Sequence, residues 1–393
     1  MRILFTFAGG SGHLDPLVPF ARAAAAAGHV VAFAGRPWMV PTVRALGFDV
    51  FTAGSDAGLT PVRRPLLPVD MEREERDLRD GFARRIARER AVDLLPLCES
   101  WRPDALVSEE TDFGAMVVAE RLGIPHATIL VNASGSFVRP DVVAEALDQL
   151  RALHGLGPDP DLTMPSRHLV LSPFPPRLRD PAFPLPATGH AIRPAALDAP
   201  PGEGPPHRLM RPSALPAPSM GAAARPVVYV TLGTVFPMES GDLFSRVLDG
   251  LEDEPMDLVV TVGRDMDPTD LGPRPSNVRI ERYLPQASLL PHCSVVVAHG
   301  GSGSVVGALA HGVPMVLIPM GADQPLIAAR CEALGVARVL DPIAASPGDV
   351  REAVWALLSD PAYGAAAMRL RGECLALPGP AHAVELLEGL GEG

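Results

Sequence analysis

The chain has 393 residues, enough for two or three domains, and 47% of them are hydrophobic, so that large cores can form. Its formal net charge of −12 argues against nucleic acid or an anionic membrane surface as a partner. All 34 basic residues are arginine, and the lack of lysine excludes Schiff-base chemistry, pyridoxal phosphate attachment and a Walker A lysine.

The cysteines and the first residues bear on the cellular location of the protein. Four widely spaced cysteines form no CxxC motif, so the sequence predicts neither a zinc site nor a disulfide framework and favours a cytoplasmic location. The apolar run after Arg2 ends before Gly9 and is typical of a first core strand rather than of a signal peptide. No uninterrupted apolar run reaches the roughly 18 residues that a membrane span needs.

The chain opens with a predicted strand, Arg2–Phe7, and a glycine-rich turn, Gly9–Pro16. A helix over Leu17–Ala27 and a second strand over His29–Ala34 follow. The glycine spacing is not GxGxxG, and no acidic residue follows the second strand to hold a ribose. The turn is therefore predicted to present His13 to a ligand rather than to bind a dinucleotide.

A charged segment distinguishes the next part of the chain. It comes after a predicted helix over Met39–Leu46, a strand over Asp49–Phe51 and an irregular stretch from Ser55 to about Leu67. The mixed charges of Met71–Ala91 predict a helix whose exposed face carries ion pairs.

Acidic residues lie at the end of the next predicted strand, which begins near Pro103. Glu109 and Asp112 are the candidates for chemistry there, because ligands bind at the carboxyl ends of parallel strands. The alternative is that Thr111 or Asp112 only caps the helix that follows, Phe113–Leu122. A strand over Ile124–Val131 comes next.

A Pro-rich stretch separates this half of the chain from a second series of strands and helices. The stretch follows a helix over Asp141–Gly155 and ends near Pro226. The alternation of strands and helices on both sides predicts parallel α/β sheets. In the second series, the predicted strands are Val227–Val230, Leu258–Val262, Val278–Ile280 and Ala337–Leu340, and the predicted helices are Leu243–Glu252, Gln324–Leu334 and Pro347–Ser359, with more helix between Ala362 and Leu390.

One segment of the second series has the composition of a phosphate site. It reads as a strand over Ser294–Ala298, a glycine-rich turn from His299, a helix from about Val305 and a strand over Pro314–Pro319. Bare N–H groups at a helix N-terminus attract phosphate, and glycine lets the phosphate approach. The alternative is that the glycines only allow the helix to pack closely on its sheet.

Three motifs stand out in the second series, namely Tyr283-Leu284-Pro285-Gln286, His299-Gly300-Gly301-Ser302-Gly303-Ser304 and Asp323-Gln324. Together they resemble the donor-binding signature of glycosyltransferase family 1, especially that of bacterial enzymes that glycosylate antibiotic and polyketide aglycones. The resemblance extends from Arg2 to about Leu390. It implies the GT-B fold, an α/β architecture of two Rossmann-like, doubly wound domains that face each other across a cleft.

The resemblance also implies a division into domains. Residues 1–205 would form an acceptor-binding domain, and residues 206–226 a Pro-rich linker. Residues 227–375 would bind the nucleotide sugar, and residues 376–393 would form a C-terminal helix that crosses back to the first domain.

Catalytic roles follow from the same resemblance. His13 is the expected base, and counting back from Gly123 places its carboxylate partner at Glu109, with Asp112 as the alternative. A base paired with an acid can take the proton of an acceptor hydroxyl, and the acid stabilises the imidazolium. No metal ion and no cofactor are expected.

Binding roles are implied for two further groups of residues. The expected acceptor-binding residues are Gly12, Phe113 and Phe137. The expected donor-binding residues are Gly233, Thr234, Tyr283, Leu284, Gln286, His299, Gly300, Gly301, Ser302, Gly303, Ser304, Asp323 and Gln324.

The resulting hypothesis is an inverting, metal-independent glycosyltransferase. It would move a deoxysugar from a nucleoside diphosphate sugar to a hydroxyl of a hydrophobic aglycone in antibiotic biosynthesis. The partners would be that small-molecule aglycone and a dTDP- or UDP-linked sugar, and a homodimer is left open. Two alternatives remain, namely an epimerase or hydrolase on the same fold, and a non-catalytic binding partner of a biosynthetic complex.

Position 307 bears on the nucleotide. Members of the family with uridine diphosphate donors commonly place a glutamate eight residues after the histidine of the second motif, where it accepts hydrogen bonds from the ribose. Gly307 stands there in this chain, so the resemblance implies a deoxythymidine diphosphate donor. The alternative is that Gly307 only lets its helix pack on the sheet.

Overall fold

The computed structural model describes residues 1–56, 65–194, 225–233 and 236–390. The chain divides into two compact units. The first contains Met1–Leu59, Met71–Arg193 and Leu377–Gly393, and the second contains Thr60–Asp70 and Pro194–Ala376. The predicted linker lies outside the described residues, apart from residues 225 and 226.

The first unit is built on a seven-stranded sheet whose neighbouring strands are all parallel. Its strands are β1 (Arg2–Thr6), β2 (Val30–Gly35), β3 (Asp49–Thr52), β4 (Ala105–Glu109), β5 (His126–Ile129), β6 (Leu169–Ser172) and β7 (Gly189–Ala191). Their order is β3-β2-β1-β4-β5-β6-β7. The order reverses direction between β1 and β4, which is the position where doubly wound sheets bind ligands.

Helices accompany this sheet and bury its apolar strands, as a parallel sheet requires. They are α1 (Ser11–Leu14), α2 (Val18–Ala26), α3 (Val40–Ala45), α4 (Met71–Arg76), α5 (Ala87–Trp101), α6 (Phe113–Leu122) and α7 (Pro140–Leu153). Phe5, Phe33 and Val107 are fully buried in the core of the unit.

The charged helix is longer than the sequence predicts. It runs from Met71 to Trp101 as α4, a π-helical segment over Asp77–Ile86, and α5. The N–H of Ala87 donates to the carbonyl of Phe82, five residues earlier, as a π-helix requires. The prediction stopped at Ala91 because it followed the run of mixed charges, which thins out in the more apolar stretch that completes α5.

The second unit has a six-stranded parallel sheet. Its strands are β8 (Val227–Thr231), β9 (Asp257–Thr261), β10 (Val278–Glu281), β11 (Val295–Ala298), β12 (Met315–Leu317) and β13 (Ala337–Val339). Their order is β10-β9-β8-β11-β12-β13, so that the reversal falls between β8 and β11. The helices are α8 (Leu243–Leu251), α9 (Gln286–Leu289), α10 (Ser302–His311), α11 (Gln324–Ala333), α12 (Pro347–Ser359) and α13 (Pro361–Ala376).

The last helix, α14 (Pro380–Gly389), belongs to the first unit. Its Ala383, Val384 and Leu387 are buried in the core of that unit. Just before this helix, the carbonyl of Pro378 accepts a backbone hydrogen bond of 2.8 Å from the N–H of Arg193, which ties the segment to the first unit. In the part of the chain that the structure describes, no helix is long and apolar enough to cross a membrane.

Candidate active site

His13 and Glu109 meet at the reversal point of the first sheet. β1 and β4 are paired with Thr6 beside Ser108, and the chain turns from β1 into α1 while β4 ends at Glu109. Nδ1 of His13 lies 3.2 Å from Oε1 of Glu109. The Glu109 side chain is completely buried, whereas 24% of the His13 side chain is exposed, so the imidazole can meet a ligand and its partner cannot.

The carboxylate of Glu109 is held by several donors besides His13. It accepts hydrogen bonds from the N–H of Ala8 at 3.2 Å, and from the N–H and hydroxyl of Thr111 at 2.6 and 2.9 Å. Burial by itself would raise the pKa of Glu109, but the charge and hydrogen bond of His13 and the backbone donors outweigh burial and lower it. Glu109 is therefore ionised at neutral pH.

The ionised partner fixes the tautomer of His13. A carboxylate only accepts hydrogen bonds, so the proton of the neutral imidazole lies on Nδ1. The hydroxyl of Thr111 has one proton, which it donates to Glu109, and towards Nδ1 of His13, 3.3 Å away, it can only accept. Nε2 of His13 consequently carries a lone pair and can act as a base.

Two residues around this pair were missed at the sequence level. The sequence predicts Thr111 only as an alternative helix cap, although a hydroxyl two residues after Glu109 at a strand end can reach the same carboxylate. Gly9 packs against the imidazole so closely that a Cβ atom there would overlap the His13 ring. A glycine three residues after the end of β1 is a visible sign of such a close approach.

Asp112, the alternative partner of the histidine, serves another function in the structure. Both it and Arg90 are fully buried, and Nε of Arg90 donates to Oδ1 of Asp112 at 3.1 Å. Asp112 also accepts from the N–H of Ala115 and so caps α6. The expectation of a catalytic Asp112 is corrected, because its carboxylate neutralises a buried guanidinium instead of contacting His13.

The three expected acceptor residues differ in exposure. Gly12 lies in α1 beside His13, and a Cβ atom there would meet nothing within 4 Å. Phe113 is fully buried at the start of α6, so no part of its ring is open to an acceptor, and that expectation is corrected too. Phe137 is 7% exposed in the segment after β5.

A second histidine lies at the reversal point of the second sheet. His299 follows β11, and its imidazole lies between Gly233 and Gly301, where added Cβ atoms would come within 2.6 and 2.5 Å of the ring. Burial lowers the pKa of His299 to about 4, so the ring is neutral at physiological pH. A neutral imidazole can donate one hydrogen bond to a phosphate oxygen.

Helix α10 begins three residues after this histidine, at Ser302 rather than near Val305 as the sequence predicts. Gly301 is its N-cap and has no side chain to occupy the helix N-terminus. Ser302, Gly303 and Ser304 therefore form the first turn, whose N–H groups have no carbonyl partner within the helix. Gly300 is left-handed with φ of 88°, a conformation that favours glycine.

The carboxyl end of β12 supplies the expected sugar-binding residues. Oδ2 of Asp323 accepts a hydrogen bond of 3.0 Å from the hydroxyl of Ser302, which joins the two motifs. Gln324 is 2% exposed, and its amide oxygen accepts from the N–H groups of Met320 and Gly321 at 2.8 and 3.3 Å. Because its oxygen is engaged in this way, the amide nitrogen is the group that Gln324 could offer to a sugar hydroxyl.

The first motif lies at the carboxyl end of β10. Tyr283 is 61% exposed, and the guanidinium of Arg264 lies 5.7 Å from its ring centroid, so the ring is available for stacking. Leu284 is half-buried beside it. Gln286 begins α9, and its amide nitrogen contacts the buried hydroxyl of Tyr229 at 3.5 Å.

Position 307 faces the same glutamine. A Cβ atom on Gly307 would lie 3.1 Å from Cδ1 of Leu290 and 3.3 Å from Oε1 of Gln286. Thr234, the remaining expected donor residue, lies outside the described residues. Within the described ranges, no group of three or more His, Cys, Asp or Glu side chains could hold a metal ion.

Comparison with known proteins identifies the family. Residues 245–390 match the Erythromycin biosynthesis protein CIII-like C-terminal domain. The chain is 31% identical to 4'-demethylrebeccamycin synthase of Lentzea aerocolonigenes, over 99% of both proteins. The chain belongs to glycosyltransferase family 1. Within this family it is also 27% identical to TDP-daunosamine transferase DnrS of Streptomyces peucetius, over 99% of this chain and 97% of that one.

The fold of the family is confirmed as well. The structure of glycosyltransferase VinC in complex with dTDP matches with a TM-score of 0.74 and 26% identity, over 100% of both chains. The two parallel α/β units are thus those of the GT-B fold. Membership among antibiotic glycosyltransferases favours neither the epimerase nor the binding-partner alternative.

Proposed function

We propose that this family 1 glycosyltransferase transfers a deoxysugar from a dTDP-linked donor to a hydroxyl of a hydrophobic natural-product aglycone, with inversion and without a metal ion. The observation that carries the proposal is the His13–Glu109 pair, in which a partly exposed imidazole lies 3.2 Å from a buried carboxylate. Its place at the reversal point of the first sheet is the usual ligand position of a doubly wound fold.

His13 acts as the general base in this proposal. Nε2 takes the proton of the acceptor hydroxyl as the oxygen forms its bond to the anomeric carbon. The bond from that carbon to the diphosphate breaks, and its electron pair leaves with the diphosphate. Glu109 stabilises the imidazolium that results, and Thr111 and Ala8 hold the carboxylate in place. A single displacement of this kind inverts the anomeric configuration.

The leaving diphosphate is stabilised by the second unit. The first-turn N–H groups of α10 and the positive end of its dipole suit the negative charge that develops on the leaving diphosphate. His299 adds a neutral donor, and Asp323 is placed by Ser302 to accept from a sugar hydroxyl. Backbone donors and a helix dipole can neutralise the diphosphate, which is the basis for proposing that no metal ion takes part.

The nucleotide is deoxythymidine diphosphate in this proposal, with Gly307 as its support. Gly307 offers no acceptor to a ribose 2′-hydroxyl, and the nearest side-chain oxygen is the neutral Oε1 of Gln286. A 2′-deoxyribose therefore leaves no buried carboxylate unpaired there. Two relatives support this choice, because DnrS is named for a TDP-sugar and the structure of VinC contains dTDP.

One experiment tests the catalytic part of the proposal. Purified enzyme is given a dTDP-deoxysugar with a panel of aglycones, and glycoside formation and nucleotide release are both followed. His13→Ala is expected to lower transfer by roughly 10²- to 10⁴-fold without weakening donor binding. The exposed His382, replaced in the same way, is the control. Undiminished transfer by His13→Ala would refute the base, and nucleotide release that needs no aglycone would indicate a hydrolase.

A further inference from the structure

The π-helical segment places an aromatic ring on the face of His13. Phe82 lies in this segment, and its ring is stacked on the imidazole with centroids 5.5 Å apart and planes 17° from parallel. Phe82 is partly exposed, as His13 is. The contact joins residues that are far apart in the sequence, and nothing in the proposed chemistry requires it.

We propose that Phe82 is a positioning residue that fixes the plane of the catalytic imidazole. This inference rests on the proposed function of His13 as the base. The hydrogen bonds of Nδ1 to Glu109 and Thr111 hold one edge of the ring, but a bond at one edge leaves the ring free to tilt about it. Stacking on Phe82 and close contact with Gly9 restrict that tilt. With edge and plane fixed, Nε2 has one direction in which to meet an acceptor hydroxyl.

The helix that carries Phe82 is anchored eight residues further on, at Arg90. Arg90 donates hydrogen bonds to the carbonyls of Ala53 and Ala34 at 2.8 and 3.1 Å, besides its ion pair with Asp112. Those carbonyls follow β3 and lie in β2, so Arg90 fixes α5 to the carboxyl edge of the sheet. Gly114 lets α6 pack closely on α5, because a Cβ atom there would overlap the backbone of Ala87. The position of Phe82 relative to this anchor is therefore set by the helix between them.

The π-helical segment sets the direction in which Phe82 points. Its i→i+5 hydrogen bonds widen the turn, so residues before Ala87 face a different side than they would in a continuous α-helix. π-Helical turns are rare and often lie at functional sites. Here the segment directs an aromatic ring towards the base.

Gly81, next to Phe82, provides a matched control. A Cβ atom at Gly81 would meet nothing within 4 Å, so Gly81→Ala alters the same segment without touching His13. Phe82→Leu keeps an apolar side chain but removes the flat ring, and Phe82→Tyr keeps the ring. Transfer kinetics, donor binding and thermal unfolding are measured for all three variants and for His13→Ala.

Phe82→Leu is expected to lower kcat by roughly 10- to 100-fold with donor affinity unchanged, because a misdirected base loses rate rather than binding. Phe82→Tyr restores most of the rate, and Gly81→Ala keeps it. A wild-type kcat in Phe82→Leu would overturn the inference. So would an equal loss of kcat in Phe82→Tyr, or a loss of kcat that is accompanied by a lower unfolding temperature. If His13 is not the base, His13→Ala will keep full activity, and this result is distinct from any result obtained with the Phe82 variants.

Discussion

The imidazole of His299 lies against Gly233, where an added Cβ atom would come within 2.6 Å of its ring. Gly233 follows β8 and has φ of 79°, a conformation that favours glycine. The two residues flank the reversal point of the second sheet, so the space in which we propose that the diphosphate binds depends on a missing side chain as much as on the side chains present. The first unit repeats the arrangement with Gly9 against His13.

Gly233→Ala should therefore weaken donor binding. The added methyl group displaces His299 from the N-terminus of α10, and we expect thymidine diphosphate to bind roughly 10- to 100-fold more weakly, as the loss of one or two charge-assisted contacts would produce. Gly335→Ala is the control, because Gly335 also has positive φ, of 68°, but nothing lies within 4 Å of its added Cβ. Calorimetric titration measures both, and equal losses would assign the effect to backbone strain alone.

Thr111 should affect rate rather than folding. Thr111→Val removes the hydroxyl that donates to Glu109 at 2.9 Å and accepts from His13, while its volume is nearly unchanged. We expect kcat for transfer to fall roughly tenfold, because one neutral hydrogen bond that orients the pair is lost. Thr111→Ser keeps the hydroxyl and should be close to wild type. A Thr111→Ser variant as slow as Thr111→Val would contradict the role of the hydroxyl.

Arg90 and Asp112 should behave as structural residues. Asp112→Asn leaves the buried guanidinium of Arg90 without a counter-charge, and we expect the free energy of unfolding to fall by about 3–5 kcal/mol. Arg79→Gln removes an ion pair with Asp80 at the surface and should cause no measurable change. Urea unfolding compares the two variants. Full stability together with lost transfer in Asp112→Asn would return Asp112 to the catalytic site.

The sequence was sufficient for some parts of this site and insufficient for others. The α10 segment was predictable because strand, glycine-rich turn and helix are contiguous in the chain. The proximity of His13 and Glu109 came from a family resemblance, and the strand order explains it afterwards through the pairing of β1 with β4. The stacking of Phe82 on His13 was not predictable, because it depends on a π-helical segment, and no spacing of apolar residues in the sequence indicates such a segment.

Buried polar groups were harder still to assign. Asp112 follows a strand and precedes a helix, so the sequence allows a cap, a catalytic acid or a counter-ion. Only the position of Arg90, which comes from a different helix, decides among them. Local signals cannot give this, because the partner is chosen by the packing of α5 on α6.

Acid should destabilise the enzyme through buried histidines. Burial lowers the pKa of His126 to about 3, whereas an unfolded histidine has a pKa of about 6.5. Between these values the unfolded state binds more protons, so stability is complete above the unfolded pKa and is lost as the pH falls towards 3. His126→Gln can still form a hydrogen bond with Ser108. It should reduce the slope of the unfolding free energy against pH by up to about 1.4 kcal/mol per pH unit. Urea unfolding at several pH values measures it, and the exposed His382→Gln should keep the wild-type slope.

Gly307 should decide between nucleotides. The wild-type enzyme is expected to bind thymidine diphosphate more tightly than uridine diphosphate. Gly307→Glu supplies a carboxylate that pairs with a ribose 2′-hydroxyl and stays unpaired beside a deoxyribose, so the ratio of the two dissociation constants should move roughly tenfold or more towards uridine diphosphate. Calorimetric titration with each nucleotide gives the ratio.

Gly307→Ala separates this effect from crowding. Its Cβ would lie 3.1 Å from Leu290 and 3.3 Å from the amide oxygen of Gln286, ends of side chains that can yield by a few tenths of an ångström. Crowding of this kind acts on both nucleotides alike, so Gly307→Ala should leave their ratio unchanged even if it weakens both. If Gly307→Glu and Gly307→Ala shift the ratio equally, or neither shifts it, then Gly307 serves only the packing of α10, and the nucleotide is selected elsewhere.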